Sequence, residues 1–371
     1  MRIAFVVHDY HRAGGHSRYV AELATRFSRE HEVHVFANRI EPDGAAAIHF
    51  HTVPAWRANA LTTVLSFALP ATFQIGRGFD VVHSQGFCSL RGNVFTSHIC
   101  NRAWHIALRT WEGGVTVRES LFNAVASMLE HALYRFTRGS TVIAISQRVS
   151  RDLIRFYHCR RPVQVIYHGV DLQLFSPENR QRWRTGMRLK YALSEAEMVF
   201  LFVGDMRKGA RRAIAALARL PEGHLLFVSR TPQDPYQRFA EDAGVGERVR
   251  FLGTTNQVEH AYAAADAFLH PTPYDAFGMV VSEAMACGLP VVVSQEAGAS
   301  ELIQHGINGM LLRDLTSEIE LAQHMRYLCE DRARASRIGE AARKRVETLS
   351  WNVIAEQTMQ VYEERLQESA R

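Results

Sequence analysis

Lysine is nearly missing from this chain. Of 43 basic side chains in 371 residues only three are lysine, Lys190, Lys208 and Lys344. Arginine serves wherever a solvated cation is enough, so a lysine in a special context stands out. Cysteine is scarce too: Cys88, Cys100, Cys159, Cys287 and Cys329 lie far apart, with no C-x-x-C pair. That pattern excludes a disulfide scaffold and is expected of reduced thiols in a cytoplasmic protein. Long apolar runs are also lacking. The uncharged span between Arg57 and Arg77 is broken by Asn59, Thr62, Thr63, Ser66, Pro70, Thr72 and Gln74, whereas a membrane-spanning helix wants about 20 predominantly apolar residues. A packed domain helix is expected there. The opening "MRIAFVVHDY" reads as a first strand, not a signal peptide.

Charge is unevenly spread. Residues 1–165 carry 19 Arg, no Lys and 11 acids, net +8, whereas residues 166–371 carry 24 basic and 27 acidic side chains, net −3. A basic half beside an acidic half implies that the first half meets something anionic. Residues 102–161 hold ten Arg against four acids, interleaved with Trp104, Trp111, Phe122, Tyr134, Phe136, Phe156 and Tyr157. Basic and aromatic residues mixed in this way suit the peripheral surface of an anionic membrane. The same arginine excess raises nucleic-acid binding, but no nucleic-acid motif accompanies it.

The first half alternates strand and helix. "RIAFVV", "EVHVFA", "FDVVHS" and "TVIAIS" read as buried parallel strands, and "GGHSRYVAELATRF" as a helix opened by glycines. The pattern restarts with "VFLFVG", "HLLFVS", "RVRFLG", "DAFLHP" and "LPVVVS", separated by helical segments. Two such runs imply two doubly wound sheets, the crossing point falling in "VIYHGVDLQLFSPENRQRWR". Ligands bind such sheets beyond the carboxyl ends of the strands.

Three places there carry chemistry. Gly14 and Gly15 end the first strand and open a helix, where small residues let a phosphate approach free N–H groups; a tight βα turn uses glycine as well. The spacing is not the G-x-G-x-x-G of a dinucleotide site. In "VGDMRKGARRAIAAL", Arg207 and Lys208 stand at a strand-to-helix junction. Cations there oppose the helix dipole, so a compensating anion such as a leaving diphosphate is implied. In "YDAFGMVVSEAMACGLPVVVS", Asp275 and Glu283 are separated by seven uncharged residues. A loop reaching a helix at about Phe277 would put Asp275 at the strand ends and Glu283 on the helix. The two carboxylates could then accept hydrogen bonds from sugar and ribose hydroxyls, with amides near Ala276, Phe277 and Gly278 meeting sugar oxygens.

The Asp275-to-Glu283 spacing, with "FG" after the first acid and "EAMACGLPVV" from the second, resembles the signature of family-four retaining glycosyltransferases. The resemblance covers the chain: the Gly14–Gly15 turn, "AIS" at 144–146, "VIYHGVDLQLF", "RKG", "FLG", "AYAAADAFLHP", "ASELI", "GINGMLL" and the terminal "SW" helix. The compact "RKG" and the Arg- and aromatic-rich stretch 102–138 make it most similar to lipopolysaccharide-core glucosyltransferases.

That resemblance implies an α/β GT-B fold, two doubly wound Rossmann-like domains facing a cleft. Residues 1–167 would bind the acceptor, 168–351 the nucleotide sugar, and helix 352–371 would pack back on the first domain. It implies transfer of a hexose, glucose from UDP-glucose, to a lipopolysaccharide-core or other cell-surface glycan or lipid, with retention. Glu283 would hold the ribose, Asp275 the sugar, and Arg207 and Lys208, helped by Gly15, the diphosphate. His98 in "FTSHICN" matches a position near sugar or acceptor. Neither metal nor cofactor is expected, because the sequence offers no spaced His/Cys/Asp ligands. The enzyme would work peripherally on the cytoplasmic face of the inner membrane. Asp275 replaces the usual Glu, Asp205 stands where an Arg is common after "VG", and Ser17 and Tyr19 replace acids. An epimerase or hydrolase on the same fold would share the nucleotide site but need a general acid/base pair and no acceptor.

Overall fold

The structure is a computed structural model of the chain; it describes residues 1–12, 14–42, 44, 47–109, 115–136 and 139–370, without the side chains of 60, 136, 369 and 370. It divides into two compact units, Met1–Thr110 with Gly114–Gly169 and Trp351–Arg371, and Val170–Ser350.

In the first unit the strands of the main sheet are β1 (Arg2–Val6), β2 (Glu32–Ala37), β3 (Ile48–Thr52), β4 (Val81–Gln85), β5 (Val94–Ser97), β6 (Thr141–Ala144) and β7 (Val163–Val165). They form one parallel sheet in the order β3-β2-β1-β4-β5-β6-β7. Ile3 through Val6 are fully buried, which is why β1 reads as an unbroken apolar run. Three of the seven strands escaped the sequence reading. β3 spells "IHFHT" at the sheet edge, and β5 and β7 are four and three residues long.

The uncharged span is the helix Ala60–Gln74, begun by a reciprocal cap between Asn59 and Thr62. It delivers Phe67 and Ala71 to a core with Ala4, Val6, Phe36, Val53, Ile75 and Cys88. Among the described residues no helix is long and apolar enough to cross a membrane. The terminal helix Trp351–Ala370 belongs to this unit. The Tyr362 hydroxyl lies 2.6 Å from His83 Nδ1, and Arg26 Nε donates to Asn352 Oδ1 at 2.8 Å. A Cβ on Gly169 would lie 2.5 Å from the Trp351 ring, so only glycine lets the indole in.

The second unit has β8 (Val199–Val203), β9 (His224–Val228), β10 (Val249–Phe251), β11 (Ala267–His270), β12 (Val291–Ser294) and β13 (Met310–Leu312), all parallel, in the order β10-β9-β8-β11-β12-β13. β13, only three residues long, is the one strand here that periodicity did not reveal. Helix Pro177–Lys190 is tied down by a buried charge network. Arg188, 1% exposed, donates from Nη2 to Asp266 Oδ2 at 2.6 Å, and Arg184 to Asp266 Oδ1 at 2.7 Å. The Val199 amide reaches the same carboxylate at 2.9 Å, which joins the helix to the start of the central strand.

Candidate active site

In the second unit the chain runs from β8 to β9 on one side, and β11 lies on the other. Loops leaving β8 and β11 therefore meet at the point where the strand order reverses, the usual ligand position of such sheets. Leaving β8, Asp205 accepts the Arg207 amide at 2.9 Å and caps a short 3₁₀ turn, Met206–Lys208. Gly209 ends it at φ 109°, and a Cβ there would strike the Pro271 carbonyl oxygen. Only glycine satisfies both the backbone angle and the close approach. The turn is thereby pressed onto the loop after β11, and the Lys208 ammonium donates to Asp275 Oδ2 at 2.6 Å. His270 Nε2 lies 3.2 Å from the same oxygen.

Burial by itself would push the Asp275 carboxyl up. The Lys208 charge and the His270 hydrogen bond outweigh it and hold the group well below the usual carboxylate range. The loop is fastened: Asp275 N donates to the Glu296 carbonyl at 3.2 Å, Gly298 N to the Asp275 carbonyl at 2.9 Å, and Ala299 N to the Phe277 carbonyl at 2.6 Å. The helix that follows is Met279–Ala286, two residues later than the sequence suggests, because Gly278 sits at φ 95° as its N-cap. Ala276, Phe277 and Gly278 form the tight link before it. Glu283 is buried on that helix, 7% exposed, with the Tyr262 hydroxyl 3.1 Å from its Oε2.

Arg207 is paired within its own turn. Its guanidinium lies on Asp205, with Nη2 to Oδ2 at 2.8 Å and Nε to Oδ1 at 3.2 Å, while Lys208 joins Asp275. The residue after "VG" is thus an acid that holds the neighbouring arginine, which also explains why Asp205 stands below the ordinary aspartate range despite burial.

The first unit has its own site at the corresponding reversal, between β1 and β4. A cavity of about 350 Å³ opens there, lined by polar Asp9, His16, Gln85, His98 and Glu130 and by apolar Phe122 and Leu129. Gly14 adopts φ 141° ahead of helix Gly15–Phe27, and a Cβ on Gly15 would meet nothing within 4 Å, so this turn is open to a ligand. His98 Nε2 lies 2.8 Å from Gln85 Oε1, and its Nδ1 3.2 Å from His168 Nε2. Because Gln85 Oε1 only accepts, His98 is the Nε2–H tautomer and takes the His168 proton at Nδ1. Burial, then His16 and His168, hold His98 far below the usual imidazole range, so it is neutral. Gln85 Nε2 is buried without a partner, a donor available to a ligand oxygen. Ser17 donates to the Asp9 carbonyl at 2.7 Å, and Tyr19 is buried in stacking contact with His168. Sequence reasoning missed Gln85, which had no motif to mark it.

Glu32 and His34 of β2 and His49 of β3 bring possible ligand atoms together at the edge of the first unit's sheet, a grouping that sequence reasoning did not pick out because His49 comes from the neighbouring strand. The aromatic residues of 102–161 differ in exposure. Tyr134 and Tyr157 are buried, Trp104, Phe122 and Phe156 are half-buried, and Trp111 and the Phe136 side chain lie outside the described residues. Tyr157 donates to Glu130 Oε2 at 2.6 Å inside the unit. The exposed apolar side chains of this region are Ile106, Val117, Leu121, Met128 and Ile154.

Comparison with known proteins matches two family models, "Glycosyltransferase Family 4" over residues 13–174 and "Glycosyl transferases group 1" over residues 184–345. The chain belongs to these glycosyltransferases. An alpha-maltose-1-phosphate synthase of Mycolicibacterium smegmatis is 28% identical over 98% of this chain and 99% of its own. The fold is that of WaaG, a glycosyltransferase involved in lipopolysaccharide biosynthesis, with a TM-score of 0.80 at 23% identity over 96% of this chain and 98% of that one. It is also that of Anabaena HepE, solved in complex with UDP-glucose, with a TM-score of 0.73 at 23% identity over 98% and 100%. This glycosyltransferase therefore has the GT-B architecture.

Proposed function

We propose that this enzyme moves a hexose, glucose from UDP-glucose, to a hydroxyl of a cell-surface glycan or glycolipid with retention of anomeric configuration. The second unit would carry the donor and the first the acceptor. The observation that carries the reading is the Lys208–Asp275–His270 cluster beside buried Glu283 at the strand reversal. Glu283 accepts the ribose hydroxyls from a fixed helix position. Asp275 accepts a hydroxyl of the sugar, and Lys208 and Arg207 neutralise the departing diphosphate without a metal. The phosphate oxygen that leaves takes the acceptor proton on the same face of the sugar. His98, neutral, with both ring nitrogens engaged by Gln85 and His168, would line the acceptor or sugar site and orient Gln85, whose Nε2–H would donate to acceptor or sugar.

Support for the donor comes from the UDP-glucose complex of HepE. Support for a lipopolysaccharide-like acceptor comes from WaaG and from a cavity lined by both polar and apolar side chains. The synthase from M. smegmatis is named for a sugar phosphate, so soluble acceptors belong in the test. The exposed arginines of 102–161 and the exposed aliphatic side chains beside them would rest the first unit on the cytoplasmic face of an anionic membrane. Incubation with a panel of nucleoside diphosphate sugars, scored by diphosphate release with and without glycolipid, oligosaccharide and sugar-phosphate acceptors, tests the reading. Acceptor-dependent UDP release and an α-linked product from an α-linked donor are expected. Equal release without any acceptor would point to a hydrolase.

A further inference from the structure

The outer edge of the first unit's sheet carries a second set of reactive side chains, unrelated to sugar transfer. Strand alternation puts Glu32 and His34 on one face of β2. The register sets His34 beside His49 on β3, the edge strand, with His51 two residues further on. The ligand atoms of Glu32, His34 and His49 all lie within 4.8 Å of one another. His34 Nε2 is 2.9 Å from Glu32 Oε1, and His34 Nδ1 is 2.8 Å from His51 Nε2. The His34 and His49 rings stack with centroids 4.7 Å apart.

We propose that Glu32, His34 and His49 bind a divalent transition-metal ion of the zinc type, with His51 as the positioning residue. One carboxylate and two imidazoles form a borderline donor set suited to zinc, whose bonds to nitrogen and carboxylate oxygen run about 2.0–2.2 Å and which completes its shell with water. Drawing the three ligands in to those lengths moves Glu32 and His49, which are both exposed, and leaves the core untouched. His34 is the fixed member, buried and held edge-on by Phe79 at 4.9 Å.

The protons balance. Without metal, His34 donates from Nε2 to Glu32 and accepts at Nδ1 from His51. On metal binding the His34 Nε2 proton leaves to solvent, the His51 Nε2 proton passes to His34 Nδ1, and His51 takes a solvent proton at its own Nδ1, so each neutral imidazole still carries one proton and His51 Nε2 becomes the acceptor. His51 thereby fixes the tautomer and ring plane of the ligand, the usual task of a partner behind a metal-bound imidazole. Arg2 Nε, 3.0 Å from Glu32 Oε1, stays beside the carboxylate and orients it. The metal would clip the edge strand to its neighbour at a place where a sheet otherwise has an unpaired side.

Titration calorimetry of the full chain with zinc chloride at neutral pH tests this. The expected result is one saturable equivalent and a melting temperature that rises with zinc concentration. His49→Gln and Glu32→Gln, both at exposed positions, should each weaken zinc binding at least tenfold while the circular dichroism spectrum stays unchanged. His51→Gln should weaken it by roughly 10–100-fold through lost orientation. Absence of saturable zinc binding overturns the proposal. So does zinc binding with unchanged affinity in both His49→Gln and Glu32→Gln, since the ion would then reside on other histidines.

Discussion

Replacing Lys208 by Met is the most informative single change in the donor site. The substitution keeps most of the aliphatic stem and removes the ammonium that lies 2.6 Å from Asp275 Oδ2. What remains beside the carboxylate is His270 at 3.2 Å. Burial then acts on Asp275 with its main opponent gone, so the carboxyl climbs from its depressed position and a proton is taken up nearer neutrality. Two consequences follow, of different size. Breaking a buried ion pair from one side costs about 3–5 kcal/mol, but Lys208 is 25% exposed and its share is screened, so a loss of roughly 1–3 kcal/mol in unfolding free energy is expected. Turnover loses the cation that meets the leaving diphosphate, worth about 10²–10³ in kcat, or roughly 2.7–4 kcal/mol. Steady-state transfer with the donor that the wild type turns over, beside urea unfolding, measures both. Asp275→Asn made in the Lys208→Met background should restore part of the lost stability without restoring turnover, a coupling of about 0.5–3 kcal/mol. Near-native kcat in Lys208→Met, or stability losses that simply add in the double variant, would refute the assignment.

Glu283→Gln should weaken UDP binding about tenfold or more in calorimetry, the size of a lost hydrogen bond to a charged group, whereas Asp275→Asn should spare UDP binding and cut transfer. Asp275→Glu lengthens the reach by one methylene and should reorder the preferred donor sugars more than it changes nucleotide affinity, read as ratios of kcat/KM. Asp266→Asn leaves Arg184 and Arg188 without their shared carboxylate and should cost about 3–5 kcal/mol in urea unfolding. Acid should loosen the first unit. Burial holds His8 and His83 at about 4 and about 3 in the fold against an ordinary 6.5, so the unfolded chain binds protons that the folded chain refuses. Stability is full above 6.5 and falls with pH toward those lower values, by up to about 1.4 kcal/mol per pH unit for each histidine. Thermal unfolding from pH 7 to 4 checks this, and a flat melting temperature would contradict the buried neutral state.

Strands set in apolar runs bounded by turn residues were legible, most of them because they are hydrophobic on both faces. β1, β2, β4, β6 and β8 to β12 all show as apolar runs between turn residues. β3, β5, β7 and β13 did not show: the first three mix histidine, threonine or glutamine into three to five residues, and β13, Met-Leu-Leu, is too short to show a period. Their place comes from the sheet that receives them. The acidic pair and Lys208 could be read directly, as residues set against their local composition. Partnership could not. That Lys208 meets Asp275 depends on Gly209 letting one turn lie on the Pro271 carbonyl, a contact between loops 62 positions apart in sequence. Gln85 and His168, which fix the His98 tautomer, likewise come from separate elements and share no spacing rule.

The pairings bear on how the donor would be bound. The two cations assigned to the diphosphate are not waiting as bare charges: Arg207 lies on Asp205 and Lys208 on Asp275. Each pair is neutral as a unit, so the site does not hold uncompensated buried charge before substrate arrives. An incoming diphosphate must compete with two carboxylates for those cations. Asp205 yields more readily, because Arg207 is 46% exposed and its pair is open to solvent screening. Lys208 is more enclosed and would share itself between Asp275 and phosphate, which places a sugar-binding carboxylate and a diphosphate-binding ammonium on one hydrogen bond. On the proposed function, loss of the diphosphate after transfer would return Lys208 wholly to Asp275, so product release and recovery of the sugar-reading carboxylate would be the same event. On this argument salt should weaken UDP binding mainly through Arg207. Arg207→Ala should flatten the salt dependence of the UDP dissociation constant, whereas Lys208→Met should lower affinity and leave that slope nearly intact. Equal slopes in wild type and Arg207→Ala would show that the arginine stays on Asp205 when the nucleotide binds.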